Sequence, residues 1–414
     1  MMDQQPPQMN ELSDGGVEMP ERSHFVTPAM THAMPTPRHS GMSIGRFFWM
    51  HVLGGAFPVA AGVMLFGWRA LGVIAVVMGS AALVLPLWRR IGPHGRQMRW
   101  SHTLWLALLL SLMLPAHLFS MSGHGESSLA MWPILPAAGI ALVWFTWLLG
   151  GVGSCRIHPV ILTYLLLVVL FGELLVPHTV LRVGKLFVGD VNDAAKTEQV
   201  VIKETWIKSR PTDGHDATWR EPASQRLIFY TSGLHPAWVS LESMLRDRIP
   251  PLEDLIIAGQ PSPIGCASNI AVIIGGLFLL YRGLIDFRIP LLICITAYGA
   301  LLVLPIPVVI SESGAQWLWL AMRQQGVGWP MALTFANYEL MAGPAVFMAF
   351  FLATAPAVRP MSRRGRILFA VLVGVLTAAM QLYASVSFGP YLALLLVSLL
   401  TPAMDRFFSP RALI

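Results

Sequence analysis

Two glutamates, Glu173 and Glu339, lie inside long apolar stretches of this sequence, where carboxylates are rare. An ionised carboxylate at the centre of a bilayer costs about 2.5 to 3.5 kcal/mol, so it normally faces water or the interior of a helix bundle. Because such a group can bind a cation or relay a proton, we predict an ion pathway at both residues. Each has a simpler alternative. Glu173 is close enough to a helix end to reach the interface, and Glu339 can complement the dipole of the helix that it opens.

Histidine and cysteine are too scattered to predict a metal site. Cys155 and His158 are three residues apart, but two ligands do not make a metal centre. The three cysteines contain no CxxC pair, which argues against a disulfide framework or a zinc knuckle. Four histidines near predicted membrane interfaces are expected to be solvated or hydrogen-bonded: His51, His94, His102 and His117.

The composition is that of a membrane protein. Of the 414 residues, 55% are hydrophobic and only 12% are charged, whereas soluble chains carry about 25% charged residues. A spanning helix needs about 20 apolar residues, and ten stretches qualify as candidates. They cover 47–66, 69–87, 103–120, 130–150, 159–178, 264–281, 289–310, 337–356, 367–384 and 388–404. The stretch 315–335 is apolar but broken by Gly and Pro, so we predict an interfacial or re-entrant element there.

The arginines predict the orientation of these helices. With a cytoplasmic N-terminus, the arginine clusters of the short loops all lie inside, as the positive-inside rule requires. They comprise Arg89, Arg90, Arg96, Arg99, Arg156, Arg282, Arg288, Arg359, Arg363, Arg364 and Arg366. Both termini are therefore predicted to be cytoplasmic. The one long polar segment, 179–263, is predicted to lie outside, since long loops translocate largely regardless of charge.

The predicted fold is an all-α polytopic membrane protein of about ten transmembrane helices in two inverted five-helix halves, with one large extracytoplasmic loop. Two halves of five spans must point in opposite directions, an arrangement common in transporters. The predicted parts are a disordered cytoplasmic arm (1–45), the first half (46–178), the extracytoplasmic loop or subdomain (179–263), the second half (264–406) and a cytoplasmic tail (407–414).

Several strings resemble signatures of the NqrB/RnfD family. These proteins are membrane subunits of the sodium-pumping NADH:quinone oxidoreductase and of the Rnf electron-transport complex. The clearest matches are IGCASNIAVIIGGLFLLYRGLIDFRIP (264–290) and GPAVFMAFFLATAPAVRPMSRRGRILFAVLVGVLT (343–377). SHTLWLALLLSLMLP (101–115), LLGGVGSCRIHPVIL (148–162) and LLTPAMDR (399–406) also fit. The resemblance runs in order over roughly residues 45–410.

The resemblance implies a flavin, with one important departure. In the family, flavin mononucleotide (FMN) is attached through its phosphate to the threonine of an S-G-A-T motif in the outside loop. The matching string here is TSGLHPAW (231–238), which keeps Ser232 and Gly233 but has His235 in place of the acceptor threonine. Because histidine has no hydroxyl, the usual phosphoester cannot form there. Any FMN is therefore expected to bind non-covalently, and a surface loop histidine is the simpler interpretation of His235.

Further cofactor-binding residues follow from the same resemblance. They are Gly151 and Gly153 in the glycine turn before the fifth helix, and Thr354, which begins a T-A-P where the family has T-D-P. The glycine pairs Gly150–Gly151 and Gly275–Gly276 have a simpler role as sites of close helix contact. The family's acid after I-G is Cys266 here, and a histidine before its G-G is Glu339.

Two functions remain open on these residues. The first is a membrane subunit of an Rnf/Nqr-like complex that couples electron transfer through flavin to cation translocation, with the other subunits as partners in the bacterial cytoplasmic (inner) membrane. Such a chain is at most one subunit of the enzyme. The second is a cofactor-free transporter, channel-like protein or scaffold on the same fold, which the lost threonine and Ala355 favour.

Overall fold

The structure is a computed structural model that describes residues 42–91, 98–119, 133–151, 157–175, 256, 263–311, 314–318, 329–356, 358–383 and 388–408. Residues from Ile44 onwards belong to one compact unit. Its main helices are α1 (Ile44–Phe66), α2 (Trp68–Ile91), α3 (Trp100–Met113), α4 (Ile134–Leu148), α5 (Pro159–Leu175), α6 (Asn269–Tyr281), α7 (Arg288–Val303), α8 (Trp329–Ala342), α9 (Arg363–Tyr383) and α10 (Gly389–Phe408). One two-stranded antiparallel hairpin, β1 (Ile306–Ser311) and β2 (Gly314–Leu318), follows α7.

Four of these helices are long and apolar enough to cross a membrane: α1, α2, α9 and α10. A fifth candidate is a bent pair, Ala332–Met341 with Ala345–Leu352, whose two parts differ in direction by 64°. The remaining helices α3 to α7 are apolar but shorter. The chain is therefore a mostly helical membrane protein with four or five such spans among its described residues.

Helix α3 is the centre of the first group of helices. It packs against α1, α2, α4 and α5, and nearly every residue from Ser101 to Met113 is buried. A helix that is apolar and buried on all sides needs no amphipathic pattern, because it meets no water. Leu114 O then accepts a hydrogen bond from the backbone N–H of Ile264 (3.2 Å), which joins the end of α3 to the segment before α6.

Two helix pairs pack closely through glycine, one in each group. A Cβ at Gly139 of α4 would meet Ser80 and lie 2.6 Å from the carbonyl oxygen of Val77 in α2. A Cβ at Gly374 of α9 would likewise meet Thr296 and lie 2.7 Å from the carbonyl oxygen of Ile293 in α7. Since only glycine allows this approach, both pairs depend on it, as in many membrane helix interfaces.

Helices α1 and α6 cross at paired glycines in similar strings, LGGAF (53–57) and IGGLF (274–278). A Cβ at Gly275 would lie 2.5 Å from the carbonyl oxygen of Gly54, and the rings of Phe57 and Phe278 are 6.0 Å apart. A Cβ at Gly276 would collide with Phe350. The close contact predicted for Gly275–Gly276 is therefore confirmed.

The predicted seventh helix, 289–310, is wrong over its last third. The helix ends at Val303, and Ile306–Ser311 forms β1, which pairs with β2 in the stretch predicted to be interfacial. Pro305 and Pro307 cannot donate helical hydrogen bonds, and the β-branched residues that follow favour a strand. The hairpin is also a departure from the all-α prediction. The hydroxyl of Tyr383, at the end of α9, donates to the carbonyl oxygen of Pro305 (2.8 Å).

The predicted eighth helix, 337–356, is not continuous. Helix α8 begins earlier, at Trp329, inside the predicted interfacial stretch, and ends at Ala342. After Gly343 and Pro344, a short helical segment, Ala345–Leu352, finishes in a π-helical turn. Pro344 causes the break, because its ring nitrogen has no hydrogen to donate and its ring clashes with the preceding turn.

Three of the predicted parts fall largely outside the described residues. The arm 1–45 is described only from residue 42, the loop 179–263 only at residues 256 and 263, and the tail 407–414 only to residue 408. Their predicted structures and positions remain predictions.

Candidate functional site

Glu339 lies in the last turn of α8, directly before the break, and is fully buried at 0% exposure. Buried carboxylates are rare and expensive unless something offsets their charge. The expectation that Glu339 opens its helix is wrong, because α8 begins ten residues earlier, at Trp329. A residue so far along the helix cannot complement the dipole at its first turn. The simpler alternative for this glutamate therefore fails.

Two side-chain amides bind the carbonyl oxygens of this last turn. Nε2 of Gln381 in α9 donates to the carbonyl oxygen of Glu339 (2.9 Å). Nδ2 of Asn269, the first residue of α6, donates to the carbonyl oxygen of Met341 (2.9 Å). A Cβ at Gly343 would lie 2.8 Å from Nε2 of Gln381, so the amide fills the break itself. These amides replace helical N–H donors that the break removes.

Thr377 lies one turn before Gln381 on α9 and is also fully buried. Its hydroxyl has no hydrogen-bond partner among the residues that the structure describes. A threonine in a helix normally donates to a carbonyl of the preceding turn, as Thr163 does to the carbonyl oxygen of Pro159 (2.8 Å). The exception at Thr377 leaves a free hydroxyl in the apolar interior.

The second predicted ion-pathway residue, Glu173, lies in the last turn of α5. The backbone departs from helical geometry two residues earlier, at Phe171 (φ −132°, ψ 29°). Its side chain is outside what the structure describes, so its place in an ion pathway remains a prediction.

The predicted cofactor-binding residues are only partly described. Ser232, Gly233, His235 and Gly153 lie outside the described residues. Gly150 and Gly151 have positive φ values of 89° and 77° and end α4, with the N–H of Gly151 donating to the carbonyl oxygen of Thr146 (2.9 Å). This is a glycine C-terminal cap, so the turn has a structural reason of its own.

Thr354 follows the π-helical turn and is buried. Its hydroxyl donates to the carbonyl oxygen of Phe350 at 2.6 Å. The hydroxyl proton is therefore bound to a carbonyl of the preceding turn, and the predicted role of Thr354 in cofactor binding remains a prediction. At the position where the resemblance places the acceptor threonine, His235 has no hydroxyl, so this residue does not fit a threonine-linked FMN.

A cluster of histidines and aromatic rings lies where α1, α3 and α5 begin. His51, His102 and His158 are buried, and the Trp105 ring lies 5.4, 6.1 and 6.5 Å from theirs, respectively. Nδ1 of His51 contacts the carbonyl oxygen of Phe47 at 2.9 Å. Both ring nitrogens of His158 and the indole nitrogen of Trp105 have no partner among the described side chains and backbone.

Solvation, one of the two expectations for these interface histidines, is therefore wrong for His51 and His102, while hydrogen bonding is confirmed for His51. No local sequence pattern predicts this cluster of histidines and aromatic rings, because its members are far apart along the chain. Among the described residues, no group of three or more His, Cys, Asp or Glu side chains is arranged to hold a metal ion.

Cys266 lies beside a contact between the two groups of helices. It precedes α6, is buried, and its Sγ lies 3.9 Å from the hydroxyl of Tyr391 in α10. The ring of Tyr391 contacts the ring of Tyr164 in α5 edge-on, with centroids 5.4 Å apart. Cys266 is thus buried next to the Tyr164–Tyr391 contact.

The opposite end of α6 and α9 carries the charges. Asp286 and Arg366 form an ion pair at 3.0 Å between the α6–α7 loop and the first turn of α9. Arg366 also donates to the carbonyl oxygens of Pro360 (3.0 Å) and Met361 (3.1 Å). Burial alone raises the pKa of Asp286, but hydrogen bonds from the Arg288 N–H and from Arg366, with the charges of both arginines, hold it below its usual range.

The geometry defines a polytopic helical membrane protein in which one interrupted helix carries a buried carboxylate. Comparison with known sequences identifies the family: the chain belongs to the NQR2, RnfD, RnfE family, which it matches over residues 32–413. The resemblance to the NqrB/RnfD family is thereby confirmed.

The names of similar proteins are consistent with membership of this family. This chain is 24% identical to the D-type subunit of an ion-translocating oxidoreductase complex of Yersinia pseudotuberculosis. The match extends over 390 residues, which is 90% of this chain and 95% of the relative. The chain is 31% identical, over 36% of this chain and 38% of the relative, to the D-type subunit of the Na(+)-translocating ferredoxin:NAD(+) oxidoreductase complex of Acetobacterium woodii. The D-type subunit of an ion-translocating oxidoreductase complex of Mannheimia succiniciproducens is 30% identical over 34% of each chain. The matches to the last two thus span little more than a third of those relatives.

Proposed function

We propose that this chain is the membrane-embedded D-type subunit of an ion-translocating oxidoreductase complex, in which electron transfer is coupled to movement of a cation across the membrane. The observation that carries the proposal is the family match over residues 32–413, together with a relative of that name covered over 95% of its length. The other subunits of the complex are its partners. The chain supplies position and electrostatics, while bound cofactors carry the electrons.

The fold that we propose for this function has ten membrane crossings in two inverted halves, α1–α5 and α6–α10. Three contacts support it. The α2–α4 pair and the α7–α9 pair are both closed by a glycine lying over a Ser or Thr and a carbonyl oxygen. The two Gly-Gly strings of α1 and α6 meet each other, as an axis relating the halves requires. Tyr164 meets Tyr391 between the last helices of the halves.

This fold places the arginine-rich ends on the cytoplasmic side of a bacterial inner membrane. The described arginines of the α6–α7 loop and of the start of α9 lie at one end, joined by the Asp286–Arg366 pair. A cytoplasmic excess of arginine is the general topology signal. Both termini are then inside, and the segment 179–263 is outside.

Any FMN on this chain binds non-covalently in our proposal. His235 stands in place of the acceptor threonine, and Thr354 uses its hydroxyl within its own helix. The residues that we propose to contact the phosphate or the ring of the flavin are Ser232, Gly233, His235 and Gly153, together with the N–H groups around Gly151. A bound flavin would supply one- and two-electron chemistry. The cofactor-free transporter or scaffold remains the second candidate, because the same substitution at His235 favours it.

The test is to purify the affinity-tagged full chain from solubilised native membranes, identify co-purifying proteins and measure flavin. We expect the other subunits of an oxidoreductase complex, with flavin released into the supernatant when the sample is denatured. Flavin fluorescence in the denatured gel band would contradict the non-covalent assignment. A well-folded chain that purifies without redox subunits and without flavin would overturn the proposal in favour of the second candidate.

A further inference from the structure

We infer that the break after α8 is a binding site for a small monovalent cation, with the carboxylate of Glu339 as its anionic ligand. The inference rests on the proposed function and deepens it, because it names the site and the ligand class of the translocated ion. Among the described residues no group of three metal-ligating side chains is involved, so the site differs in kind from a transition-metal centre.

The first argument is the charge of Glu339. It is fully buried among apolar helices, and the charge of a carboxylate in such surroundings must be neutralised or offset. Of the acidic side chains described in α6–α10 and their loops, Asp286 and Asp405 lie at the arginine-rich end, and Glu339 is the one at this end. One carboxylate balances one positive charge, which favours a monovalent cation over a divalent one.

The second argument is the backbone at the break. Interrupted membrane helices expose carbonyl oxygens that coordinate ions in transporters. Here Pro344 cannot donate to the carbonyl of Leu340, and the chain turns by 64° between the two helical parts. The neighbouring carbonyls of Glu339 and Met341 are fixed by Gln381 and Asn269 at 2.9 Å each. The break is therefore fixed in place by side chains of α6 and α9 and does not close into a regular helix.

The third argument is independent of both: the hydroxyl of Thr377. It is fully buried on the Gln381 face of α9, one turn away, and has no partner within the described part of the chain. A buried hydroxyl without a hydrogen bond costs about as much free energy as a lost hydrogen bond, so such groups usually have a ligand or water. A carboxylate, a hydroxyl and backbone carbonyls are all oxygen ligands, which hard cations prefer.

The test is direct binding of radioactive sodium to the full chain in detergent, with Glu339→Gln and Thr377→Val as site variants. The matched control is Thr163→Val, because Thr163 is equally buried but donates to its own helix. We expect saturable sodium binding by the natural chain and the control, and affinity weakened about tenfold or more in each site variant. Glu339→Asp, which keeps the charge, should retain part of the affinity.

Two results would overturn the site. One is a monodisperse natural chain that shows no saturable sodium binding, and the other is natural affinity in both site variants. Thermal unfolding of each variant separates lost binding from lost folding, and Thr377→Val carries the test if Glu339→Gln does not fold. Failure here is distinct from failure of the proposed function, since the flavin and the partner subunits of the complex are measured separately.

Discussion

At the scale of single residues, chemistry is decided by a few polar atoms in apolar surroundings. Glu339 and Glu173 could be picked out from the sequence, because a carboxylate within an apolar run is conspicuous. Asn269, Thr377 and Gln381 were equally visible as polar residues in apolar runs. What the sequence could not supply is the meeting of Asn269 and Gln381 at the last turn of α8, since these two residues are 112 positions apart and meet only through the packing of α6, α8 and α9.

The loss of the acceptor threonine predicts how flavin attachment could be restored. We expect the double variant Leu234→Ala, His235→Thr, which recreates the family's S-G-A-T string, to become covalently labelled when produced with a flavin transferase. The physical reason is that only a hydroxyl can form the phosphoester. The measurement is ultraviolet fluorescence of the denatured gel band. The matched control, Leu234→Ala alone, should stay dark, and fluorescence in that control would show that another residue is the acceptor.

The Asp286–Arg366 pair predicts a pH-dependent contribution to stability. The pKa of Asp286 is lowered in the folded protein, so the folded state favours the ionised carboxylate. The stabilisation is therefore complete above the unfolded-state pKa of about 3.9 and is lost as the pH falls through the lower folded-state value. The side chains are 18% and 24% exposed, so Asp286→Asn should lower the free energy of unfolding by only about 1 kcal/mol at pH 7.

Thermal unfolding of the natural chain and Asp286→Asn, measured from about pH 7 down to about pH 2, checks this. The difference between the two proteins should be constant from about pH 7 to about pH 4 and should shrink below that. Arg366→Gln and the double variant Asp286→Asn, Arg366→Gln complete a double-mutant cycle in the same comparison. A coupling of zero at pH 7 would mean that the ion pair adds nothing to stability.

At the scale of helices and strands, apolar length predicted most of the helices and failed where the backbone loses hydrogen bonds. The stretches 47–66 and 69–87 fall within α1 and α2, because composition alone decides such spans. The same criterion wrongly extended the predicted seventh helix past Pro305 into β1, and it wrongly predicted that the eighth helix continues through Gly343–Pro344. Counting the backbone N–H donors would have predicted the end of α7 correctly, because the two prolines of the string L-P-I-P (304–307) have none.

Close helix contacts predict which glycines cannot be replaced. Gly139→Ala and Gly374→Ala each place a methyl group against a neighbouring backbone, at Val77 and Ile293 respectively. Each should therefore lower the free energy of unfolding by about 1 to 3 kcal/mol. The matched controls are Gly79→Ala in α2 and Gly299→Ala in α7, where a Cβ meets nothing within 4 Å.

The controls should be neutral or slightly stabilising, because alanine favours a helix over glycine by up to about 1 kcal/mol. Thermal unfolding in detergent, read by light scattering or intrinsic fluorescence, gives all four values. Equal effects at the packed and the open positions would contradict the observed helix spacing.

At the scale of the whole molecule, the recurring glycine contacts suggest two copies of one helical unit. The Gly139 and Gly374 contacts have the same chemistry on unrelated sequences, and the clearest shared string is the pair LGGAF and IGGLF at the α1–α6 crossing. Symmetry of this kind is weakly visible in sequence, because packing requires small residues at a few positions and leaves the rest free. The proposed ion site lies in one half only, which is compatible with such symmetry, because inverted halves need not carry identical side chains and Glu339 occurs in one of them.

The proposed inverted arrangement predicts which side of the membrane each segment faces. With Cys155, Cys266 and Cys294 replaced by serine, single cysteines at Asp190 and Asp213 should react with an impermeant maleimide added to the outside of intact cells. Cysteines at Ser362 and Ser409 should react only after the membrane is opened, because ten crossings return the chain to the cytoplasm. Any odd number of crossings between residues 190 and 409 would give the same opposite reactivities at these two positions, so one further position is needed to test the halves individually.

That position is in the turn after α6, beside Gly283, where φ is +67° and a Cβ meets nothing within 4 Å. A neighbouring substitution, Arg282→Cys, avoids the strained backbone and lies on the exposed surface of the same turn. It should be protected in intact cells, since one crossing by α6 separates it from the outside loop. With residue 190 labelled from the outside, labelling of this cysteine from the outside as well would mean that α6 does not cross the membrane. That result would exclude the inverted halves, whatever the behaviour of the C-terminal cysteines.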